Sequence, residues 1–244
     1  MNYRLLAGIL LCSCSLLCYF LLLRGLRKAL HAGFGVTQQS SIFRRAVILL
    51  TAWIALLGGL SVSGFFTDFS RLPPRPALAV LLPLPVVLAV SFSKTGKQLL
   101  RNAPPHWLIY LQSFRIVVEI ILWLSVIWGL LPVQMSFGGS NFDLVSGLLA
   151  LPVGYYCYVK KTWPSVIVLF YNIMGLLLLL NVILVTTFSM PVPFRLFHHE
   201  PDSALVAQFP FIFLPGFLVP LAYSMHIFSI RQWSMARKAI VKMT

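Results

Sequence analysis

The residues best placed to do chemistry lie in a stretch with little other polar character. His106 to Leu131 reads HWLIYLQSFRIVVEIILWLSVIWGLL and holds Arg115 and Glu119 four residues apart, with Gln112 three residues before the arginine. Spacing of i, i+3 and i+7 puts the three on one helix stripe. In a helix that enters a membrane near His106, Arg115 lies about nine residues deep and Glu119 about thirteen, at ~1.5 Å per residue. That depth is close to the bilayer centre, where charges are costly and face a bundle interior or a water-filled cavity. Two roles suit the pair. In one, Glu119 takes up a proton or a cationic substrate while Arg115 tunes it or holds an anion. In the other, the pair is a brace satisfied within the helix or by neighbouring helices, although Arg before Glu is the weaker i, i+4 orientation.

Two asparagines belong with this set. Asn172 and Asn181 stand nine residues apart in one apolar segment and so occupy opposite helix faces. At most one can share a cavity with Glu119, and interhelical hydrogen bonds of about 0.6–2 kcal/mol are the ordinary work of such amides. Gln112, Arg115, Glu119, Asn172 and Asn181 are therefore the candidate substrate- or proton-binding residues.

The histidines suggest two weaker sites. His198, His199, Glu200 and Asp202 form a compact cluster that Asp68 or Asp143 could join, and neutral imidazole and carboxylate are competent zinc ligands. Adjacent histidines rarely share one ion and no HExxH pattern is present, so a solvated loop is the plainer reading. His106 and His226 each stand five residues from a basic residue, Arg101 and Arg231. Two histidines at one depth on different helices are a possible haem clamp. No glycine-rich nucleotide motif occurs, and every lysine falls outside the apolar segments, which excludes a retinal Schiff base. No cofactor is expected. The four cysteines lie in apolar segments and imply no disulfide framework.

The elements that must position these residues are membrane helices. With 59% hydrophobic and 10% charged residues and a mean hydropathy of +0.90, the chain cannot be a soluble globular domain, in which about a quarter of residues are charged. Seven apolar segments can be drawn over residues 5–23, 46–66, 77–92, 106–131, 142–159, 164–188 and 206–230. Most approach the ~20 residues a spanning helix needs; the third is short and carries Pro83 and Pro85. The expected fold is an all-α integral membrane protein, a single polytopic domain over residues 1–244 with about seven transmembrane helices.

Charge gives the orientation. Arg24, Arg27, Lys28, Arg44, Arg45, Lys94, Lys97, Arg101, Lys160, Lys161, Arg231, Arg237, Lys238 and Lys242 all fall on one side of this scheme. Arg4, Arg71, Arg75 and Arg195 fall on the other, together with Asp68, Asp143, Glu200 and Asp202. The positive-inside rule then puts the N-terminus outside and the C-terminus in the cytoplasm. Five positive charges follow the first segment without a small-residue cleavage site, so an uncleaved first helix is expected. The net charge of +14, placed this way, addresses an anionic inner leaflet and not nucleic acid.

These features lead to a small secondary transporter or channel-like protein of the bacterial cytoplasmic membrane, with a small molecule or ion as substrate, rather than an enzyme. A non-catalytic partner subunit or sensor, with the Arg–Glu pair as a brace, is the alternative. A membrane metal or haem protein using the histidines is a third reading. Partner proteins and self-association are open to all three.

Overall fold

The structure is a computed structural model and describes residues 2–241. It is all-helical, with no strand among the described residues. Helix α1 (Tyr3–His31) opens on Asn2, whose side chain accepts from the Leu5 amide at 3.1 Å, satisfying one of the free donors of the first turn. α1 continues through Arg24, Arg27 and Lys28, and α2 (Val36–Val62) starts before Arg44 and Arg45. The long loop expected between the first two segments therefore shrinks to residues 32–35. The reason is propensity: arginine and lysine form helix as readily as leucine, so the helices outrun their apolar stretches.

α3 (Arg75–Leu81) and α4 (Pro83–Phe92) form one rod interrupted at Pro83, which lacks the N–H to continue the ladder. A short amphipathic helix that no apolar window marks, α5 (Lys94–Asn102), follows; Ser93 caps it by accepting from the Gly96 amide at 2.9 Å. α6 (Pro105–Tyr110) and α7 (Phe114–Ile127) are joined by a 3-10 turn over Leu111–Ser113. The rod ends at Ile127 and not at Leu131, because Gly129 takes a left-handed conformation (φ 65°). The Leu130 amide then bonds the Ser125 carbonyl at 2.8 Å, the usual glycine termination of a helix.

α8 (Asp143–Gly154) runs into a π-helical turn over Tyr155–Val159 and is followed by α9 (Val166–Phe188). The last rod begins with a π-helical turn over Leu214–Leu218 and continues as α10 (Val219–Val241), later than the expected start at 206. Pro220 has no N–H to give the Gly216 carbonyl; Trp53 Nε1 takes that carbonyl instead, at 2.8 Å.

Among the described residues, five helical stretches are long and apolar enough to cross a membrane: Tyr3–His31, Val36–Val62, Arg75–Phe92, Pro105–Ile127 and Val166–Phe188. Asp143–Val159 is apolar but shorter, and the last rod carries Arg231, Arg237 and Lys238. α10 packs on α9, α6, α4 and α5, while α7 packs between α1 and α8. Close crossings are made at glycines. A Cβ on Gly147 of α8 would stand 3.1 Å from the Ile116 amide of α7, and one on Gly175 of α9 would stand 2.4 Å from His226 Nε2 of α10.

Candidate functional site: a charged chamber in the bundle

Arg115 and Glu119 are both buried, but they do not pair with each other. Gly147 lets α8 press against α7 beside Arg115, and one helical turn earlier on the same face of α8 is Asp143. Arg115 Nη1 meets Asp143 Oδ1 at 2.9 Å, with the side chains 2% and 15% exposed. The carboxylate sits in the first turn of α8, where the helix dipole favours negative charge. The remaining contact of the guanidinium is a long one to the Gly175 carbonyl at 3.5 Å. Asp143, expected in an external loop, is thus the partner of the buried arginine.

Glu119 serves the connection between α7 and α8. Its Oε1 accepts from the Phe137 amide and its Oε2 from Asn141 Nδ2 at 2.9 Å. Asn141 also donates to the Met135 carbonyl at 3.0 Å and accepts from the Asp143 amide at 3.0 Å. This connection folds inward, burying Leu131, Gln134, Met135, Ser136 and Asn141. Gln134 reaches Ser189 Oγ at 3.0 Å, and Asn181 Nδ2 reaches the Ser140 carbonyl at 2.7 Å. Glu119 is therefore fully hydrogen-bonded, as a buried carboxylate must be.

A cavity of about 160 Å³ ends on these groups. Its polar end is formed by Arg115, Glu119, Asn141 and Asp143, and its walls are apolar side chains of α3, α7, α9 and the Leu214–Leu218 turn, among them Val80, Leu122, Leu179 and Leu218. Arg115 Nε and Nη2 are buried without a hydrogen-bond partner. A cavity of roughly 150 Å³ accepts one benzene-sized molecule.

The other candidates separate from this chamber. Gln112 lies in the 3-10 turn, which breaks the α-helical stripe, and donates to the Ala222 carbonyl at 3.0 Å. Asn172 belongs to a second buried network on α9 and α10: its Oδ1 faces His226 Nδ1 at 2.8 Å, and its Nδ2 reaches Ser229 Oγ at 2.9 Å and the Val168 carbonyl at 2.7 Å. Of the five candidate residues, Arg115 and Glu119 line the chamber, while Gln112, Asn172 and Asn181 hydrogen-bond elsewhere around it. Asn141 and Asp143 complete it.

The histidine sites do not form. His226 is fully buried, with Nδ1 held by Asn172 and Nε2 pressed against Gly175, so no haem plane can reach its ring nitrogens. His106 instead packs edge-on against Tyr110. In the 198–202 cluster Arg195 occupies the centre, bonding Glu200 at 3.0 Å and the carbonyls of His199 and Phe197 at 2.8 and 2.7 Å. Asp202 accepts from the Ala204 amide at 2.8 Å. Asp68, the other proposed member of the cluster, is tied to Arg75 at 2.9 Å. A guanidinium among the proposed ligands of His198, His199, Glu200 and Asp202 opposes a cation. No group of three or more His, Cys, Asp or Glu able to hold a metal occurs among the described residues.

The all-helical fold with its long apolar helices is consistent with a helical membrane protein, and the site is a small, partly open chamber among those helices. The chain belongs to a family described as a domain of unknown function, DUF8737, whose model matches residues 74–233. That segment runs from the residue before α3 into α10 and contains every residue that lines the chamber. No curated protein and no solved structure matches the chain.

Proposed function

We propose that this protein crosses the bacterial cytoplasmic membrane seven times, N-terminus outside and C-terminus in the cytoplasm. In this reading it is a small secondary transporter or channel-like protein, whose substrate or coupling ion is taken up at Arg115, Asp143 and Glu119. One observation carries the reading. A partly open cavity ends on three ionisable groups, and two of its walls are rods interrupted at Pro83 and at Pro215–Pro220. Interrupted helices beside buried charge are how membrane carriers expose backbone and form sites within the bilayer. The two further spans of the seven are the apolar stretch Asp143–Val159 and the last rod, and the placement of lysine and arginine supports the orientation.

The test is ligand binding and uptake by purified protein reconstituted in liposomes, compared with Ala77→Trp. Ala77 lines the cavity and is half-buried, so the indole fills the chamber from its edge without removing a core contact. A small-molecule or pH-dependent thermal shift in the wild type that Ala77→Trp abolishes, with its unliganded Tm intact, supports the reading. An identical response from both proteins rejects it.

A second reading has its own observation. Glu119 has both oxygens occupied by the α7–α8 connection, which suits a brace in a partner subunit or sensor. In that case no ligand shifts the wild type, and loss of Glu119 costs stability alone.

A further inference from the structure

A larger and more open cavity lies at the other end of α9 and α10. It measures about 720 Å³ and opens between the end of α5, the π-helical turn after α8, the start of α9 and the last turns of α10. Arg101 and Arg237 line it, with Tyr158, Ser165, Gln232 and Trp233. Gln232 Nε2 fixes the rim by donating to the Leu100 and Ala103 carbonyls at 2.6 and 2.7 Å, and the Arg237 guanidinium lies 5.5 Å over the Trp233 ring.

Charge balance points to what this pocket takes. The chain has five side-chain carboxylates, Asp68, Glu119, Asp143, Glu200 and Asp202. Asp68 serves Arg71 and Arg75, Asp143 serves Arg115, and Glu200 serves Arg195. Glu119 is held by the α7–α8 connection, and Asp202 caps the 204–207 turn. Among the described residues none of these reaches Arg101 or Arg237, whose exposed guanidiniums are open to an anion from another molecule. Guanidinium groups favour phosphate, whose oxygens match their planar fork. A cavity this large far exceeds one inorganic phosphate and falls within the ~300–1,000 Å³ range of pockets that enclose whole ligands. The Trp233, Val166 and Met235 walls suit an apolar attachment to that phosphate.

We infer that the pocket between Arg101 and Arg237 binds the phosphate headgroup of an anionic phospholipid, with the glycerol and first methylenes lying along Trp233 and Val166. On the orientation proposed above this lipid belongs to the inner leaflet, where basic pockets between helices take such headgroups. The binding itself can be read in micelles whatever the orientation of the chain, so it stands or falls separately from transport.

The experiment uses delipidated full-length protein in neutral detergent, titrated with phosphatidylglycerol, phosphatidylcholine or inorganic phosphate and read by native mass spectrometry and thermal shift. Wild type should hold phosphatidylglycerol at least tenfold more tightly than phosphatidylcholine, and inorganic phosphate should not displace it. Arg101→Gln/Arg237→Gln should lose that preference, whereas Arg44→Gln/Arg45→Gln, which removes the same charge elsewhere, should keep it. Ser165→Trp, which fills the pocket and leaves both arginines in place, should also block binding and keeps the test valid if the double variant misfolds. Equal binding of the two lipids, full displacement by inorganic phosphate, or equal losses in the two double variants would overturn the assignment.

Discussion

Replacing Asp143 with asparagine tests the central feature of the chamber, an ion pair between helices and not within one. Arg115 is 2% exposed and its only carboxylate partner is Asp143, 2.9 Å away. Asp143→Asn keeps the volume and removes the charge, leaving a guanidinium whose remaining contact is the Gly175 carbonyl at 3.5 Å. Breaking a buried pair from one side costs about 3–5 kcal/mol. For a chain of this size each kcal/mol moves Tm by about 2–4 °C, so a fall of roughly 6–20 °C is expected. Removing both charges should be far milder, because two apolar side chains of similar volume replace a buried pair at little net cost. Arg115→Met/Asp143→Leu should therefore recover most of the lost Tm. The assay is thermal unfolding in detergent of the two single variants and the double, with Glu119→Gln combined with Arg115→Met as a parallel cycle. The reasoning fails if Asp143→Asn unfolds with wild type, or if Arg115 couples more strongly to Glu119 than to Asp143.

Three further outcomes follow from the same geometry. Glu119→Gln keeps one acceptor but turns an amide toward a donor of the α7–α8 connection, at a cost of about 1–3 kcal/mol for the unmet group. The Phe137 amide should exchange with deuterium faster than in wild type, and unchanged protection would exclude the latch. Gly175→Ala places a methyl 2.4 Å from His226 Nε2 and 3.0 Å from Ser146 Oγ and should destabilise by about 1–3 kcal/mol through overpacking. Gly59→Ala, inside α2 with nothing within 4 Å, should hold or raise Tm, since alanine favours a helix interior; equal losses at both sites would contradict the helix crossing. In the connection before α3, hydrogen bonds from the Ser70 hydroxyl and amide, and then the charges of Arg75 and Arg71, hold the Asp68 carboxyl below its usual range. The folded form thus prefers the ionised group, and its contribution is full above about pH 4 and is lost as pH falls through the lowered folded value. Wild type and Asp68→Asn should differ in Tm at neutral pH and converge in acid; a gap that persists below pH 3 would show that the carboxylate charge is not its source.

Arg115 and Glu119 were legible in the sequence because an ionisable residue in an apolar run must be buried in company. Their company was not. Asp143 reads as a loop acid, since a hydropathy window cannot distinguish a solvated carboxylate from one in the first turn of a helix whose neighbour approaches over Gly147. Asn141 did carry a local signal: an asparagine two residues before an aspartate at the head of an apolar segment is a helix-start pattern. α5 escaped because its nine residues are polar on average and only its spacing is amphipathic. His226 misled by depth alone; its partner Asn172 is 54 residues away, a relation that no spacing rule reports.

These failures share a physical cause that also bears on function. Composition and periodicity determine which segments enter a membrane, whereas the chamber is set by where glycines let helices touch. Gly147 brings Asp143 to Arg115, and Gly175 brings α9 against His226 and offers its carbonyl to Arg115. The chamber's charge balance depends on those two contacts as much as on the charged residues. With Arg115 and Asp143 paired, Glu119 is the remaining ionisable group at the polar end, and it is also the residue that holds the α7–α8 connection. A ligand or proton that engages Glu119 must therefore compete with the Phe137 amide and Asn141. Occupancy of the chamber and release of the connection would then be one event, which is the coupling a transporter needs and a static brace lacks.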